Sequence, residues 1–166
     1  TVAGELKSPY ADTLNLSYER ELWRRSSVEV AFIDKKTRSL FEDTCEGNLP
    51  VPSEGAPCDG FVLANLEGLA RDYRGITLRM ESRTFDWLTL LASYTYSSSK
   101  GNLGYSQGEN YDFDVYPYHW VNRYGLLSDH RRHRVKINGW VNLGADWIAS
   151  FDGFWSSASV WQPQAD

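Results

Sequence analysis

The sequence predicts an all-β chain, an antiparallel up-and-down meander of six strands, and three observations predict it. Aromatic residues make up 14% of the chain, with Trp 7 and Tyr 10 against Met 1, a composition that suits pleated surfaces. Alternation of apolar and polar side chains with period two recurs in six runs. Between the runs, tight turns alternate with long connections that hold most of the Gly and Pro.

The first run, Thr13 to Glu21, sends Leu14, Leu16 and Tyr18 to one side and Asn15, Ser17 and Glu19 to the other. After a polar break at Arg24 to Ser26, the second alternates Val28, Val30 and Phe32 with Ser27, Glu29 and Ala31. Asp34 falls on its apolar parity, so either the strand leaves the apolar layer there or a bulge resets its register. The third run sets Ile76, Leu78 and Met80 against Thr77, Arg79, Glu81 and Arg83. The fourth sets Leu88, Leu90, Ala92, Tyr94 and Tyr96 against Thr89, Leu91, Ser93 and Thr95. These two form the clearest hairpin. The fifth alternates Val135, Ile137, Gly139 and Val141 with Arg134, Lys136, Asn138 and Trp140, and a Gly144-Ala145-Asp146 turn follows. The sixth carries Trp147, Ala149, Phe151 and Trp155 on one parity and Ser150, Asp152 and Ser156 on the other. Through the last four runs the charges are expected on the polar parity.

The chain is read as one domain with hairpins at about 13–34, 72–99 and 131–159, separated by long loops at 40–70 and 100–129. Tight turns on one side and long loops on the other are the pattern of a transmembrane β-barrel, with short periplasmic turns and extracellular loops. A compact soluble domain seldom contains two such loops. Trp23, Trp87 and Trp147 lie at or beside the three tight turns, where indole rings would mark the inner membrane boundary; Tyr94, Tyr96 and Trp155 would mark the outer one.

Composition narrows the alternatives. A mean hydropathy of -0.49 and the lack of a long apolar run exclude a transmembrane helix, but not a barrel whose every second residue meets lipid. The net charge of -5 argues against nucleic acid as a partner. Thr1 to Tyr10 lacks the features of a signal peptide, as expected of a mature or internal piece. Cys45 and Cys58 stand in a Pro/Gly/acid-rich stretch and are either two free thiols or, as favoured here, a disulfide in an oxidising compartment. No second ligand pair stands at zinc-binding spacing, so no metal or other cofactor is expected.

Three stretches resemble the barrel domain of TonB-dependent outer-membrane receptors, especially the Oar-like branch. They are Val28-Glu29-Val30-Ala31-Phe32-Ile33-Asp34 through Phe41, Tyr73-Arg74-Gly75-Ile76 through Asn102, and Asp129 to Val135 with its Arg132-His133-Arg134 run. The resemblance implies a barrel of about 22 strands with a plug in its lumen, of which this chain supplies six. It also implies partners: outer-membrane lipid, the rest of the barrel and its plug, and a TonB-type energy-coupling protein reached through an N-terminal part. The ligand would be a small molecule, glycan or peptide, imported from the surface of a Gram-negative cell. Neither a plug-like segment nor an energy-coupling box is recognisable here. A passive porin-like or adhesive barrel is the first alternative, and a soluble carbohydrate-binding β-sandwich the second.

Among candidate sites, the segment from Glu109 to Trp120 is densest in carboxylates and aromatics. Tyr111, Asp112, Asp114, Tyr116, His119 and Trp120 would form a ligand contact in an outer loop by ring stacking and cation or hydroxyl binding, against the plainer reading of a solvated loop. His119, His130 and His133 raise acid–base chemistry, but Ser97, Ser98 and Ser99 read as a polar strand end and not a nucleophile elbow, so no catalytic residue is expected. Arg79, Glu81, Arg83, Arg134 and Lys136 would line a lumen, paired across strands.

Overall fold

In the computed structural model, residues 2, 4–23, 25–45, 60–66, 68–103 and 124–160 are described. Among these residues nine strands follow one another: β1 (Tyr10–Trp23), β2 (Ser26–Arg38), β3 (Phe41–Cys45), β4 (Phe61–Asn65), β5 (Arg71–Phe85), β6 (Leu88–Gly101), β7 (Gly125–Leu126), β8 (His133–Gly144) and β9 (Trp147–Ser156). The main sheet runs β1-β2-β5-β6-β8-β9, antiparallel throughout, with the two-residue β7 beside the end of β6. Its three strand pairs span 10–38, 71–101 and 133–156, the first two a few residues longer than the expected hairpins and the third a few residues shorter.

Register follows the apolar pattern because a slip of one residue would turn every side chain to the wrong face. Leu16, Phe32, Ile76, Tyr96 and His133 form one row across five strands, and Tyr18, Val30, Leu78, Tyr94, Val135 and Trp155 form the next across all six. Asp34 pairs with Leu14 and Arg74 in unbroken register, so no bulge resets β2 and the strand instead leaves the apolar layer. The register shifts that do occur stand at the three tight turns, between Glu21 and Trp23, Ser82 and Phe85, and Asn142 and Gly144. At the last of these, Ala145 and Asp146 take φ of 48 and 65°, the two positive values that a type I′ hairpin turn requires.

Successive hairpins are staggered along the ladder. The first turn follows the Ser26–Ser82 pair, the second lies beyond Phe85–Leu88, and the third beyond Gly144–Trp147, while β8 begins only opposite Tyr96. Both ends of the sheet therefore step in one direction, which is the tilt that a barrel wall needs. The edges at β1 and β9 carry no further strand among the described residues, so these six strands do not close the barrel.

The long connection 40–70 differs from expectation, since it contains β3 and β4, a separate two-stranded sheet. Beside it lies the hydrophobic cluster of Ala64, Leu66, Leu69 and Leu103, with Leu40 packed against it. The Asn65 amide bonds the Ser39 and Lys7 carbonyls and accepts from the Lys7 N–H, tying this cap to the end of β2. Cys45 is buried in the cap, and there is no free cysteine among the described residues. Cys58 lies outside them.

Candidate functional site

Among the described residues the main sheet is joined only by the two-stranded β3–β4 sheet, and its apolar face is exposed, unlike the stacked inner faces of a sandwich. The apolar face is open: Leu78, in the middle of the sheet, is 46% exposed and Ile137 is 40% exposed, and Leu16, Tyr18, Val30, Ile76, Tyr94 and Trp155 continue the surface. In water such a face would be an aggregation liability. From Leu88 to Tyr96 it extends roughly 27 Å along the strand, or about 21 Å after a tilt of ~40°, close to the ~25 Å band of a lipid-facing barrel wall.

Both boundaries of this belt are marked. At the tight-turn end Trp23, Phe85, Trp87 and Trp147 are all exposed, and the Phe85 and Trp87 rings stack at 5.6 Å. The outward hydroxyls there satisfy one another, as groups near hydrocarbon must. Ser26 Oγ lies 2.9 Å from Ser82 Oγ and 2.8 Å from Thr84 Oγ1, and Thr84 Oγ1 also accepts from the Trp23 indole N–H at 2.8 Å. At the long-loop end Tyr94, Tyr96 and His133 cluster, with the Tyr94 hydroxyl 2.8 Å from His133 Nδ1. Beyond that cluster the outward parity turns charged, with Asp34, Lys36, Asp72, Arg74 and Lys100. In the last four runs the expectation that charges keep to the polar parity thus holds within the belt and fails above it, at Asp72, Arg74 and Lys100, because no hydrocarbon penalises a charge there; on β1, Arg20 does stand on the outward parity, opposite Val28.

The polar face carries a row of Glu19, Glu29, Arg79, Ser93 and Lys136 across five strands, followed by Glu21, Ser27, Glu81, Leu91, Asn138 and Asp152. Arg79 bonds Glu29 across strands at 3.2 Å as expected, whereas Arg83 bonds Glu81 on its own strand. Arg134 and Lys136 form no ion pair among the described residues. The exposed pairs contribute only tenths of a kcal/mol each, about 0.2–1. A cleft of about 830 Å³ near the first turn is lined by Glu19, Glu21, Arg25, Ser26, Ser27, Glu81 and Arg83. This face suits water and a polar solute or protein segment.

Tyr111, Asp112, Asp114, Tyr116, His119 and Trp120 lie outside the described residues. Among those described, no group of three His, Cys, Asp or Glu side chains is placed to hold a metal. The strand end at Ser97 to Ser99 does meet a histidine and a carboxylate, a meeting that no spacing along the chain announces. Ser99 Oγ donates to Asp129 at 3.2 Å, while His130 Nδ1 accepts from the Ser99 backbone N–H at 3.2 Å. The serine hydroxyl therefore faces the carboxylate and not the imidazole, which is a structural clip and not a nucleophile with its base. Ser97 completes it, bonding the Arg131 carbonyl through Oγ and the Arg132 carbonyl through its N–H. Arg71 pairs with Asp129 from β5.

The clip is pH-sensitive, and the sign follows from the hydrogen bond. Nδ1 is an acceptor, so the neutral ring carries its proton on Nε2. Burial, and then the charge of Arg132, hold the His130 pKa below the ordinary 6.5. The folded state thus binds fewer protons than the unfolded one, and the contribution is complete above pH 6.5 and is lost as pH falls below it. We expect the Ser99 amide of the full-length protein to lose about 1 kcal/mol of exchange protection on acidification, and His130→Gln to remove that dependence. Unchanged protection in the wild type down to pH 5 would show that the bond is not made.

A one-sheet wall, greasy outside and wet inside, bounded by aromatics and staggered as closure demands, defines a segment of a lipid-embedded β-barrel. A family model described as an outer membrane beta barrel domain matches residues 1–149, and the chain belongs to that family. No curated protein and no solved structure matches it. The apolar belt accordingly lies in the bacterial outer membrane, with the polar face toward the lumen.

Proposed function

We propose that this barrel segment belongs to a TonB-dependent receptor that captures a ligand at the cell surface and passes it inward when an energy-coupling partner displaces a lumenal plug. The observation that carries the reading is the height of the wall above the membrane. β2 and β5 continue past the belt to Arg38 and Arg71, and the β3–β4 hairpin with its own small core stands at that end. A passive pore has less need of a folded outer cap. The sequence resemblance supports the same reading, and the charged lumen face, with Glu29–Arg79 at its centre, suits contact with a polar plug.

On this reading Tyr111, Asp112, Asp114, Tyr116, His119 and Trp120 contact the ligand from the second long loop, and the protein transports without catalysing a reaction. The test is the conductance of the full-length protein in planar bilayers. A plugged receptor holds the current near the bare-membrane level, whereas a steady open-channel current would replace this reading with the passive porin-like barrel. Calorimetric titration with calcium and with glycans, before and after Asp112→Asn and Asp114→Asn, tests the loop separately.

A further inference from the structure

The outward parity is charged at only one end of the central strands. At the tight turns β2, β5 and β6 present Ser26, Ser82, Thr84 and Leu88 to the lipid side, all uncharged. At the other end they present Lys36, Arg38, Asp72, Arg74 and Lys100 with Asp34, directly above the belt. Counting charges gives this rim four cations against two carboxylates, and exposure widens the difference. The Asp34 and Asp72 side chains are 21% and 23% exposed, covered by the guanidinium groups they hold and, at Asp72, by the Tyr124 hydroxyl that donates to it, while Arg74 is 65% exposed. Lys36 and Lys100 are exposed, flank Asp72 in one row, and form no ion pair among the described residues. On β1, Asp12 lies opposite Lys36.

The carboxylates therefore hold two arginines in place and the surface shown outward is cationic. Lys36 and Lys100 stand two strand spacings apart, roughly 9.5 Å between backbones, with Arg74 on the strand between them and Arg38 two residues beyond Lys36 on its own strand. Arg74 meets Asp34 through Nε, so its two Nη groups retain donors for another acceptor. Ammonium groups and guanidinium forks at this density match phosphate oxygens. Their depth, just above the hydrocarbon on the long-loop side, is that of the headgroups of the outer leaflet.

We propose that Lys36, Arg38, Arg74 and Lys100 form a binding site for the phosphate groups of a phosphorylated glycolipid in the outer leaflet. The partner is a lipid and not a passing solute, because the site faces away from the lumen and is continuous with the apolar belt formed by Ile76, Tyr94 and Tyr96. Acyl chains would lie on that belt while the phosphates meet the rim. The inference depends on the outer-membrane barrel and not on the receptor reading.

The test uses the full-length protein in neutral detergent micelles, titrated with bisphosphorylated lipid A, with its dephosphorylated form and with inorganic phosphate. Lipid A is expected to bind and to raise the melting temperature, and Lys36→Gln combined with Lys100→Gln to weaken binding on the order of tenfold, each cation being worth a few-fold near an anionic surface. Those lysines hold no ion pair, so the double variant is expected to fold, and heat-modifiable mobility checks that it does. Lys35→Gln, on the lumen parity, is the control and should leave binding unchanged. Equal binding of the dephosphorylated lipid would reduce the effect to acyl chains and overturn the proposal. So would equal binding of inorganic phosphate, or an unaltered affinity in the folded double variant.

Discussion

Leu78→Arg in the full-length protein is expected to cost about 2–4 kcal/mol in a bilayer, the penalty for arginine on the lipid face of a barrel near its midplane. Leu78 lies in the middle of the belt, between Val30 and Tyr94, and its 46% exposure in the isolated sheet would make the substitution almost harmless in water. Medium therefore decides the sign and the size of the effect. Leu91→Arg on β6 is the paired control: it points to the lumen, between Glu81 and Asn138, and should change stability by less than about 0.5 kcal/mol. Urea unfolding of vesicle-inserted protein, with heat-modifiable mobility to report folding, reads both. Equal tolerance of the two arginines would mean that no hydrocarbon covers Leu78.

Gly139→Ala is the second large effect, and here packing opposes propensity. Glycine weakens a strand, so a side chain at this position of β8 should on propensity alone be a gain. The space around it reverses that. A Cβ on Gly139 would overlap the Thr89 carbonyl oxygen on β6 and press on the Phe151 ring at 2.9 Å from β9. The carbonyl belongs to the sheet and cannot swing away, so a loss of about 1–3 kcal/mol is expected in the same urea assay. A gain in stability would show that Phe151 does not lie over this glycine.

Much of this architecture was legible because the pleat has a period of two, and residues such as Leu14, Leu78 and Ile137 declare their face without help from a partner. The tight turns were legible for a similar reason: Gly144-Ala145-Asp146 is local chemistry, and Trp23, Trp87 and Trp147 mark the same level three times. The β3–β4 hairpin was not. Phe41–Cys45 and Phe61–Asn65 are five residues each, too short for alternation to stand out, and they meet across a long intervening segment. The ligand residues expected between Tyr111 and Trp120 lie outside the described structure and stand as a proposal.

The sequence by itself determined which side chains face lipid, where the chain turns back, and that six strands follow one another as a meander, since each depends on neighbours within a few residues. Only the tertiary structure decided where the belt ends on each strand, because a charge on the apolar parity, as at Asp34, could equally mark a bulge, and the unbroken register through Asp34, Asp72 and Arg74 is what places them above Phe32 and Ile76. It also decided that Ser99 meets Asp129 and His130 in a clip. Those contacts join residues some thirty positions apart, and only the stagger of β6 against the returning loop brings them together.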